Sequence, residues 1–209
     1  MSSPQPVIFV VDDDDSFREA LRRLLKAAGF KVEAFPTAQS FLVAQRPDVP
    51  SCLVLDVQLP GLGGLDLQRE LRAVGAMLPI IFLTGHADIP MSVQAMKAGA
   101  VQFLTKPVRQ SDLLGAIRQA IERDSMERVQ RKELAQLRRC YAQLTARERD
   151  VMAGIVVGQL NKQIAGEFGT LESTVKEQRA QVMKKMQATS FAQLVRIAAR
   201  LEIAGKSDS

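Results

Sequence analysis

The sequence has few of the residues that build disulfide frameworks, zinc fingers and membrane spans. Its 209 residues include two cysteines, one histidine, one tyrosine and no tryptophan. Cys52 and Cys140 lie far apart and match neither a disulfide framework nor a metal-finger spacing. The first residues lack the basic start and the apolar segment of a signal peptide, and no apolar run approaches the roughly 18–20 residues that span a bilayer. We therefore expect a cytoplasmic protein in a reducing compartment, with no membrane partner.

The positive charge is concentrated in the second half of the chain. The formal net charge is +5; residues 1–121 carry 12 basic and 12 acidic side chains, whereas residues 122–209 carry 16 basic and 11 acidic ones. A neutral half joined to a basic half suggests that only the second half meets a polyanion. A basic, solvated surface would give the same charge count, so charge alone leaves both interpretations open.

One apolar stretch carries a single acidic residue at its far end. Residues 52–61 read Cys-Leu-Val-Leu-Asp-Val-Gln-Leu-Pro-Gly, so Asp56 follows the apolar run and a Pro-Gly pair breaks the segment. A run that is apolar on both faces is typical of a strand buried in a parallel sheet. In open α/β sheets, ligands bind at the carboxyl ends of the strands. Asp56 is therefore the candidate reactive residue.

Four further segments have strand-like patterns, at 7–11, 31–35, 79–84 and 101–106. Helical patterns separate them, which predicts a βα repeat with a parallel sheet and right-handed crossovers. Two strand orders are common in such sheets. We predict the flavodoxin-like order 2-1-3-4-5, in which strands 1 and 3 are neighbours.

This order brings polar residues from four strand ends to one edge of the sheet. Asp12 and Asp13 follow strand 1, Asp56 ends strand 3, and Thr84 and Lys106 end strands 4 and 5. Three carboxylates at close range repel each other unless positive charge joins them. Lys106 supplies one charge, and Mg²⁺ or Mn²⁺, which take oxygen ligands, would supply two. A carboxylate beside such a cation, a lysine and a hydroxyl is equipped to attack a phosphoryl donor.

The middle of the chain has the pattern of one long helix. Residues 111–141 contain a single glycine, Gly115, and no proline, whereas a flexible linker would be rich in both. The apolar face is clear to Ile121 and then thins among charges, and the charges at 127–132 indicate a solvated helix face. We predict a first domain at 1–121, a helical linker at 122–141 and a second domain at 142–209.

The second domain is expected to consist of four helices, which makes the fold class α/β plus all-α. Thr145 and Glu148 form a capping box, and Asn161 and Ser190 are expected to cap later helices, as Ser16 is in the first domain. Two short helices joined at Gly169 have the pattern of a helix-turn-helix, whose second helix fits the DNA major groove.

Residues 7–121 resemble the receiver domain of bacterial two-component response regulators. The matching segments are Val-Val-Asp-Asp-Asp at 10–14, Leu-Asp-Val-Gln-Leu-Pro-Gly at 55–61, Leu-Thr-Gly-His at 83–86 and Phe-Leu-Thr-Lys-Pro at 103–107. The resemblance implies that Asp56 is the phosphoacceptor for a sensor histidine kinase. It implies a metal site of Asp12, Asp13, Asp56 and the backbone carbonyl of Gln58.

The same resemblance implies roles for residues around the phosphoacceptor. Lys106 would pair with the phosphoryl oxygens, and the Lys106–Pro107 peptide would be cis. Thr84 would move toward the phosphoryl group, and Phe103 would rotate inward behind it. Gln58 and His86 would flank the site and tune the lifetime of the acyl phosphate.

Residues 142–209 resemble the LuxR-type DNA-binding domain, through Leu-Thr-Ala-Arg-Glu at 144–148, Asn-Lys-Gln-Ile-Ala at 161–165 and Ser-Thr-Val-Lys at 173–176. Together the two halves resemble the NarL/FixJ family, in particular its FixJ group. The resemblance implies contacts with double-stranded DNA by Asn161, Lys162, Thr174, Lys176, Glu177, Arg179 and Ala180.

This half departs from the family pattern at several positions. Gln178 and Gln181 stand where basic or histidine side chains are frequent, and Glu177 puts a negative charge toward DNA. Leu171 replaces a usual capping serine, a change worth roughly 0.5–2 kcal/mol. We expect weaker non-specific binding and an unusual operator.

The expected function is a response regulator that a histidine kinase phosphorylates and that then dimerises and binds promoter DNA, with RNA polymerase as a further partner. Its only catalysis would be its own phosphotransfer and autodephosphorylation. One alternative is a signalling module whose second domain binds protein rather than DNA. Another is a phosphoesterase with Asp56 as nucleophile, but Gln58 stands where such an enzyme would need a second acid.

Overall fold

The computed structural model describes residues 5–85 and 89–203. The strands are β1 (Val7–Val11), β2 (Lys31–Phe35), β3 (Ser51–Asp56), β4 (Ile80–Thr84) and β5 (Gln102–Thr105). The helices are α1 (Asp15–Ala27), α2 (Ala38–Leu42), α3 (Gly64–Ala73), α4 (Ile89–Lys97), α5 (Gln110–Ala142), α6 (Ala146–Val156), α7 (Asn161–Phe168), α8 (Glu172–Lys185) and α9 (Phe191–Arg200). No helix among these is both long enough and apolar enough to cross a membrane.

The five strands form one parallel sheet in the order β2-β1-β3-β4-β5, which confirms the predicted flavodoxin-like order. Strands β1, β3 and β4 are buried along their whole length because they lie inside the sheet. β2 is partly exposed, as its alternating sequence predicts for an edge strand.

Helices cover both faces of the sheet, and alternate residues of each strand point to opposite faces. Phe9 of β1 packs with Phe41 of α2, Leu67 of α3 and Ala95 of α4 on one face. The other face is covered by α1 and α5; its buried residues include Ile8, Val10, Leu21, Leu25, Leu113 and Ile117. Each fully buried side chain of this size stabilises the fold by about 1.5–3 kcal/mol relative to exposure.

Helix α5 is continuous over 33 residues, which confirms the predicted long helix. The chain divides into two compact units between Arg128 and Val129, so α5 contributes residues to both. The first unit therefore continues beyond residue 121, where the apolar pattern of the sequence thins.

A buried ion pair accounts for this extension. Asp124 of α5 is fully buried and accepts hydrogen bonds from the backbone N–H of Ser51, at 2.9 Å, and from Nε of Arg128, at 2.6 Å. Arg128 also pairs with Asp48. The expectation of a solvated charge face at 127–132 is wrong for Arg128, because its partner lies inside the first unit.

The second unit is a cluster of helices around one hydrophobic core. The fully buried residues of this core include Val151, Met152, Ile164 and Leu194. Thr145 and Glu148 form the predicted capping box, and Ser190 caps α9 as predicted. Lys185 of α8 donates to both carboxylate oxygens of Glu148 at 2.7 Å, and this bond, with that from the Thr145 N–H, lowers the pKa of Glu148.

Helices α7 and α8 are joined at Gly169, whose φ of 59° lies in the left-handed region that glycine adopts without steric cost. This is the predicted helix-turn-helix connection. The N-cap of α7 is Leu160 rather than Asn161, because the side chain of Gln163 accepts the Leu160 N–H at 2.7 Å and fixes the start one residue earlier. Leu171 caps α8 without a side-chain hydrogen bond, as its apolar side chain requires.

Candidate functional site: a carboxylate cluster at the sheet edge and a helix-turn-helix

Four neighbouring strands end at the candidate site. Asp12 directly follows β1, Asp56 is the last residue of β3, Thr84 is the last residue of β4, and Lys106 directly follows β5. Because the strands are parallel, their carboxyl ends share one edge of the sheet. The structure therefore brings together the residues that the strand order predicts to converge.

The ammonium group of Lys106 joins two buried carboxylates. Its Nζ donates to Oδ2 of Asp12 at 2.7 Å and to Oδ2 of Asp56 at 2.6 Å. The side chains are 2% exposed for Asp12, 9% for Asp56 and 19% for Lys106, so solvent screens these charges only weakly. One cation thus offsets the repulsion between two carboxylates in a poorly solvated place.

The pKa values of Asp12 and Lys106 both rise. Burial raises the pKa of Asp12, and the hydrogen bond and charge of Lys106 only partly oppose this effect. Burial also disfavours the charged form of Lys106, but its hydrogen bonds to Asp12 and Asp56 outweigh burial and raise its pKa. Lys106 therefore remains an ammonium group at neutral pH.

Three aspartates present oxygen atoms close enough to share a divalent ion. Asp12, Asp13 and Asp56 each offer a carboxylate oxygen, and these atoms lie within 4.8 Å of one another. Asp13 is exposed, so the cluster opens to solvent on that side. A set made only of oxygen donors fits Mg²⁺ or Mn²⁺ rather than a metal that prefers sulfur or nitrogen.

The backbone after β3 fixes the orientation of Asp56. The N–H of Gln58 donates to Oδ1 of Asp56 at 3.0 Å, while Oδ2 faces Lys106. Gly64, the first residue of α3, lies directly against the Asp56 carbonyl, where a side chain would overlap it. Each carboxylate oxygen of Asp56 is thus held by a different donor.

The two predicted switch residues lie on adjacent strands. Thr84 is fully buried, and its carbonyl accepts the Lys106 N–H at 2.7 Å. Phe103 of β5 is half-buried, with its ring centroid 6.1 Å from that of Phe82. The Lys106–Pro107 peptide is cis, as predicted. His86 lies outside the described residues.

The first turn of α1 contributes contacts that sequence reasoning missed. The N-cap of α1 is Asp14, not Ser16, because Oδ1 of Asp14 accepts the N–H groups of Ser16 and Phe17. This start places the Phe17 ring against Lys106, with Nζ 4.2 Å from the ring centroid. Four consecutive aspartates carry no local signal for which of them caps, and Phe17 fits equally well as a core residue.

In the second unit, the predicted DNA contacts lie on α7 and α8. Asn161 and Lys162 are in the first turn of α7; Thr174, Lys176, Glu177, Arg179 and Ala180 are on α8. Lys162, Lys176, Glu177 and Ala180 are exposed, whereas Asn161, Thr174 and Arg179 are half-buried.

Arg179 is tied to its neighbours within the unit. Its Nη1 donates to Oδ1 of Asn161 at 3.3 Å, and its guanidinium carbon lies 5.9 Å from the centre of the Phe191 ring. Arg179 therefore links the starts of α7 and α9 to α8.

The preceding residue, Gln178, has a buried side-chain oxygen without a hydrogen-bond partner among the residues that the structure describes.

Comparisons with known proteins agree with both halves of this description. Residues 8–118 match the family model described as a response regulator receiver domain, and residues 142–198 match that of bacterial regulatory proteins of the luxR family. Nodulation protein W of Bradyrhizobium diazoefficiens is 48% identical over 202 residues, which cover 97% of this chain and 89% of that protein. The transcriptional regulatory protein FixJ of Azorhizobium caulinodans is 40% identical, over 97% of this chain and 96% of the relative.

A solved structure extends the similarity to the fold of nearly the whole chain. The low-resolution structure of the response regulator StyR superposes with a TM-score of 0.86 at 46% identity, and covers 94% of this chain and 99% of its own. The receiver fold, the helix-turn-helix unit and these relatives agree with one another. The chain belongs to the NarL/FixJ family of two-component response regulators, which regulate transcription through a receiver domain and a LuxR-type DNA-binding domain.

Proposed function

We propose that Asp56 accepts a phosphoryl group from the phosphohistidine of a sensor histidine kinase. The observation that carries this proposal is the convergence of Asp12, Asp56 and Lys106, with Nζ of Lys106 2.6 Å from Asp56. A buried carboxylate at a sheet edge, held between an ammonium group and a backbone N–H, is positioned as a nucleophile.

The transfer exchanges one bond to phosphorus for another. A carboxylate oxygen of Asp56 attacks the phosphorus atom, the bond between phosphorus and the kinase imidazole nitrogen breaks, and the electron pair returns to the imidazole. Lys106 pairs with the phosphoryl oxygens, and the hydroxyl of Thr84 donates to another of them. Water then attacks the phosphorus atom, the bond between phosphorus and the Asp56 oxygen breaks, and inorganic phosphate leaves, which returns Asp56 to its carboxylate. The chain's only catalysis is therefore on its own phosphoryl group.

The acidic cluster would hold Mg²⁺ or Mn²⁺ through Asp12, Asp13, Asp56 and the backbone carbonyl of Gln58. When bound, the ion supplies positive charge against the phosphoryl oxygens. Lys106 alone leaves this cluster of three carboxylates with a net negative charge, which would repel a phosphoryl donor.

Phosphorylation adds about −1.5 to −2 charges at Asp56. We propose that Thr84 moves toward this charge, that Phe103 rotates inward behind it, and that the face built by residues 89–121 then pairs with a second copy. His86 would tune the lifetime of the acyl phosphate together with Gln58.

The second domain, residues 142–209, would then bind promoter DNA, with residues 122–141 as the linker from the phosphoacceptor domain at 1–121. Lys162, Lys176, Asn161 and Thr174 would contact phosphates, which set affinity and register. Lys176, Glu177 and Ala180 would face base edges, where a glutamate can accept a hydrogen bond from cytosine. Arg179 would contact DNA beside Asn161. RNA polymerase would be a further partner. The protein would work in the cytoplasm, where such DNA lies.

A second candidate is a second domain that binds protein. Glu177 favours it, because this exposed carboxylate on α8 would be repelled by DNA phosphates. DNA binding by the full chain that weakens steeply with salt would exclude this alternative, and its absence would support it.

Replacing Asp56 by asparagine is expected to abolish acyl-phosphate formation, because the amide is not a nucleophile. The protein is incubated with phosphoramidate and Mg²⁺, and intact mass spectrometry detects the added phosphoryl group. The matched control, Asp112→Asn, changes an exposed aspartate of α5 and should label like the unchanged chain. Labelling of Asp56→Asn at the unchanged rate would contradict the assignment.

A further inference from the structure

The aromatic ring of Phe17 lies against the ammonium group that serves the proposed phosphoacceptor. Nζ of Lys106 is 4.2 Å from the ring centroid, and the same nitrogen donates to Asp12 and Asp56. A cation over the face of an aromatic ring is attracted by the negative charge density of that face. We propose that Phe17 is a positioning residue, whose ring holds the Lys106 ammonium at the Asp56 carboxylate for phosphoryl transfer. This inference rests on the proposed function.

The backbone hydrogen bonds of the first turn fix where the ring lies. Asp14 accepts the N–H of Phe17 at 3.0 Å, and the N–H of Asp14 donates to Oδ1 of Asp12 at 3.0 Å. Nη1 of Arg18 donates to the carbonyl oxygen of Asp12 at 2.6 Å. Asp12 thus binds Lys106 directly and also anchors the turn that carries the ring. The hydrogen bonds of Asp12 to Lys106 and to the first turn of α1 therefore fix the distance between the Phe17 ring and the ammonium group.

The Phe17 ring attracts the ammonium group without taking up its N–H donors, which a further carboxylate would do. A lysine ammonium is a compact charge with three donors at the end of a flexible four-carbon stem. The phenyl ring attracts this charge but has no lone pair, so it competes only weakly for the N–H groups. The donors remain directed at Asp12 and Asp56 and, in the proposed reaction, at the phosphoryl oxygens.

Phe17 also packs against the apolar cluster between the sheet and α1. An ordinary core role would need only its volume, and a leucine would largely preserve that role. A positioning role needs the π face, which tyrosine retains and leucine lacks. The pair Phe17→Leu and Phe17→Tyr therefore separates the two roles.

The experiment measures the rate of Asp56 phosphorylation in the full chain by phosphoramidate and Mg²⁺. Phe17→Leu should be slower by about three- to tenfold, the range expected for the loss of a partly buried cation–π contact, and Phe17→Tyr should react at the unchanged rate. Without metal or donor, the ¹⁵N signal of the Lys106 ammonium should be sharp in the unchanged chain and in Phe17→Tyr, and broadened in Phe17→Leu. Thermal unfolding of each variant reports whether the core is intact.

The outcomes distinguish this inference from the function on which it rests. If the unchanged chain labels on Asp56 and Phe17→Leu labels equally fast, the positioning role is overturned while the phosphoacceptor assignment stands. If both variants are slow and both unfold at lower temperature, Phe17 is only a core residue and the inference is overturned. If the unchanged chain does not label on Asp56, the proposed function fails and this inference fails with it.

Discussion

Asp124→Ala is expected to lower the free energy of unfolding of the first unit by about 1–3 kcal/mol, the cost typical of leaving a buried hydrogen-bond donor without its acceptor. The Asp124 carboxylate is fully buried and accepts from both Arg128 and the Ser51 N–H. Without it, the buried Ser51 N–H loses this acceptor, and the Arg128 guanidinium, 19% exposed, keeps only its pair with the exposed Asp48. Because Ser51 begins β3, the loss should loosen the strand that ends at Asp56.

The same helix offers a matched control for this change. Arg123 and Glu127 are also paired four residues apart on α5, but their side chains are 55% and 33% exposed. Exposed pairs of this kind contribute about 0.3–0.5 kcal/mol, so Glu127→Gln should change stability little. Urea unfolding followed by circular dichroism, with hydrogen exchange of the β3 amides, measures both variants. Equal small effects of the two substitutions would show that Asp124 is not a structural anchor.

Gly64→Ala is expected to disable the proposed phosphoacceptor. An added Cβ would overlap the Asp56 carbonyl oxygen and lie 3.0 Å from the Val57 Cα. Both obstacles are backbone atoms, so the strand end and α3 must separate, at a cost of about 1–3 kcal/mol. A shift of about 1 Å in a reacting group can reduce a rate about a hundredfold, and we expect a loss of that order in Asp56 labelling.

Gly115→Ala is the control for Gly64→Ala. A Cβ added to Gly115 in α5 would meet no atom of another element within 4 Å, so alanine should stabilise the helix by roughly 0.5–1 kcal/mol and leave labelling unchanged. Labelling by phosphoramidate and urea unfolding are measured for both variants. If Gly64→Ala labels as fast as Gly115→Ala, the close packing of α3 against Asp56 has no role in the reaction.

The sheet and its carboxylate cluster could be predicted because their signals are local. The strands that carry the site residues are short, mainly apolar runs, and each site residue stands where such a run ends, so the strand order places Asp56 and Lys106 at the same edge of the sheet. The edge strand β2 and the capping box of Thr145 and Glu148 were likewise readable from neighbouring residues.

Other contacts could not be predicted, because their partners are distant in sequence or chemically ambiguous. Asp124 and Ser51 are 73 residues apart, and nothing near Asp124 distinguishes a buried acid from a surface one. Arg179 was predicted to contact DNA, and no pattern in the neighbouring residues predicts its hydrogen bond to Asn161. Asp14 caps α1 while Asp12 accepts from Lys106 at the sheet edge, and four identical neighbouring side chains do not indicate this division of roles.

The most direct measurement is the DNA affinity of the full chain with and without phosphorylation. Duplexes selected from a random library in the presence of phosphoramidate and Mg²⁺ provide the probe, and binding is titrated at two salt concentrations. The account predicts that phosphorylation tightens binding about tenfold or more, within the usual range of coupling between two sites, and that Asp56→Asn does not respond. Equal affinity of the phosphorylated and unphosphorylated chain, with Asp56 shown by mass to carry the group, would contradict it.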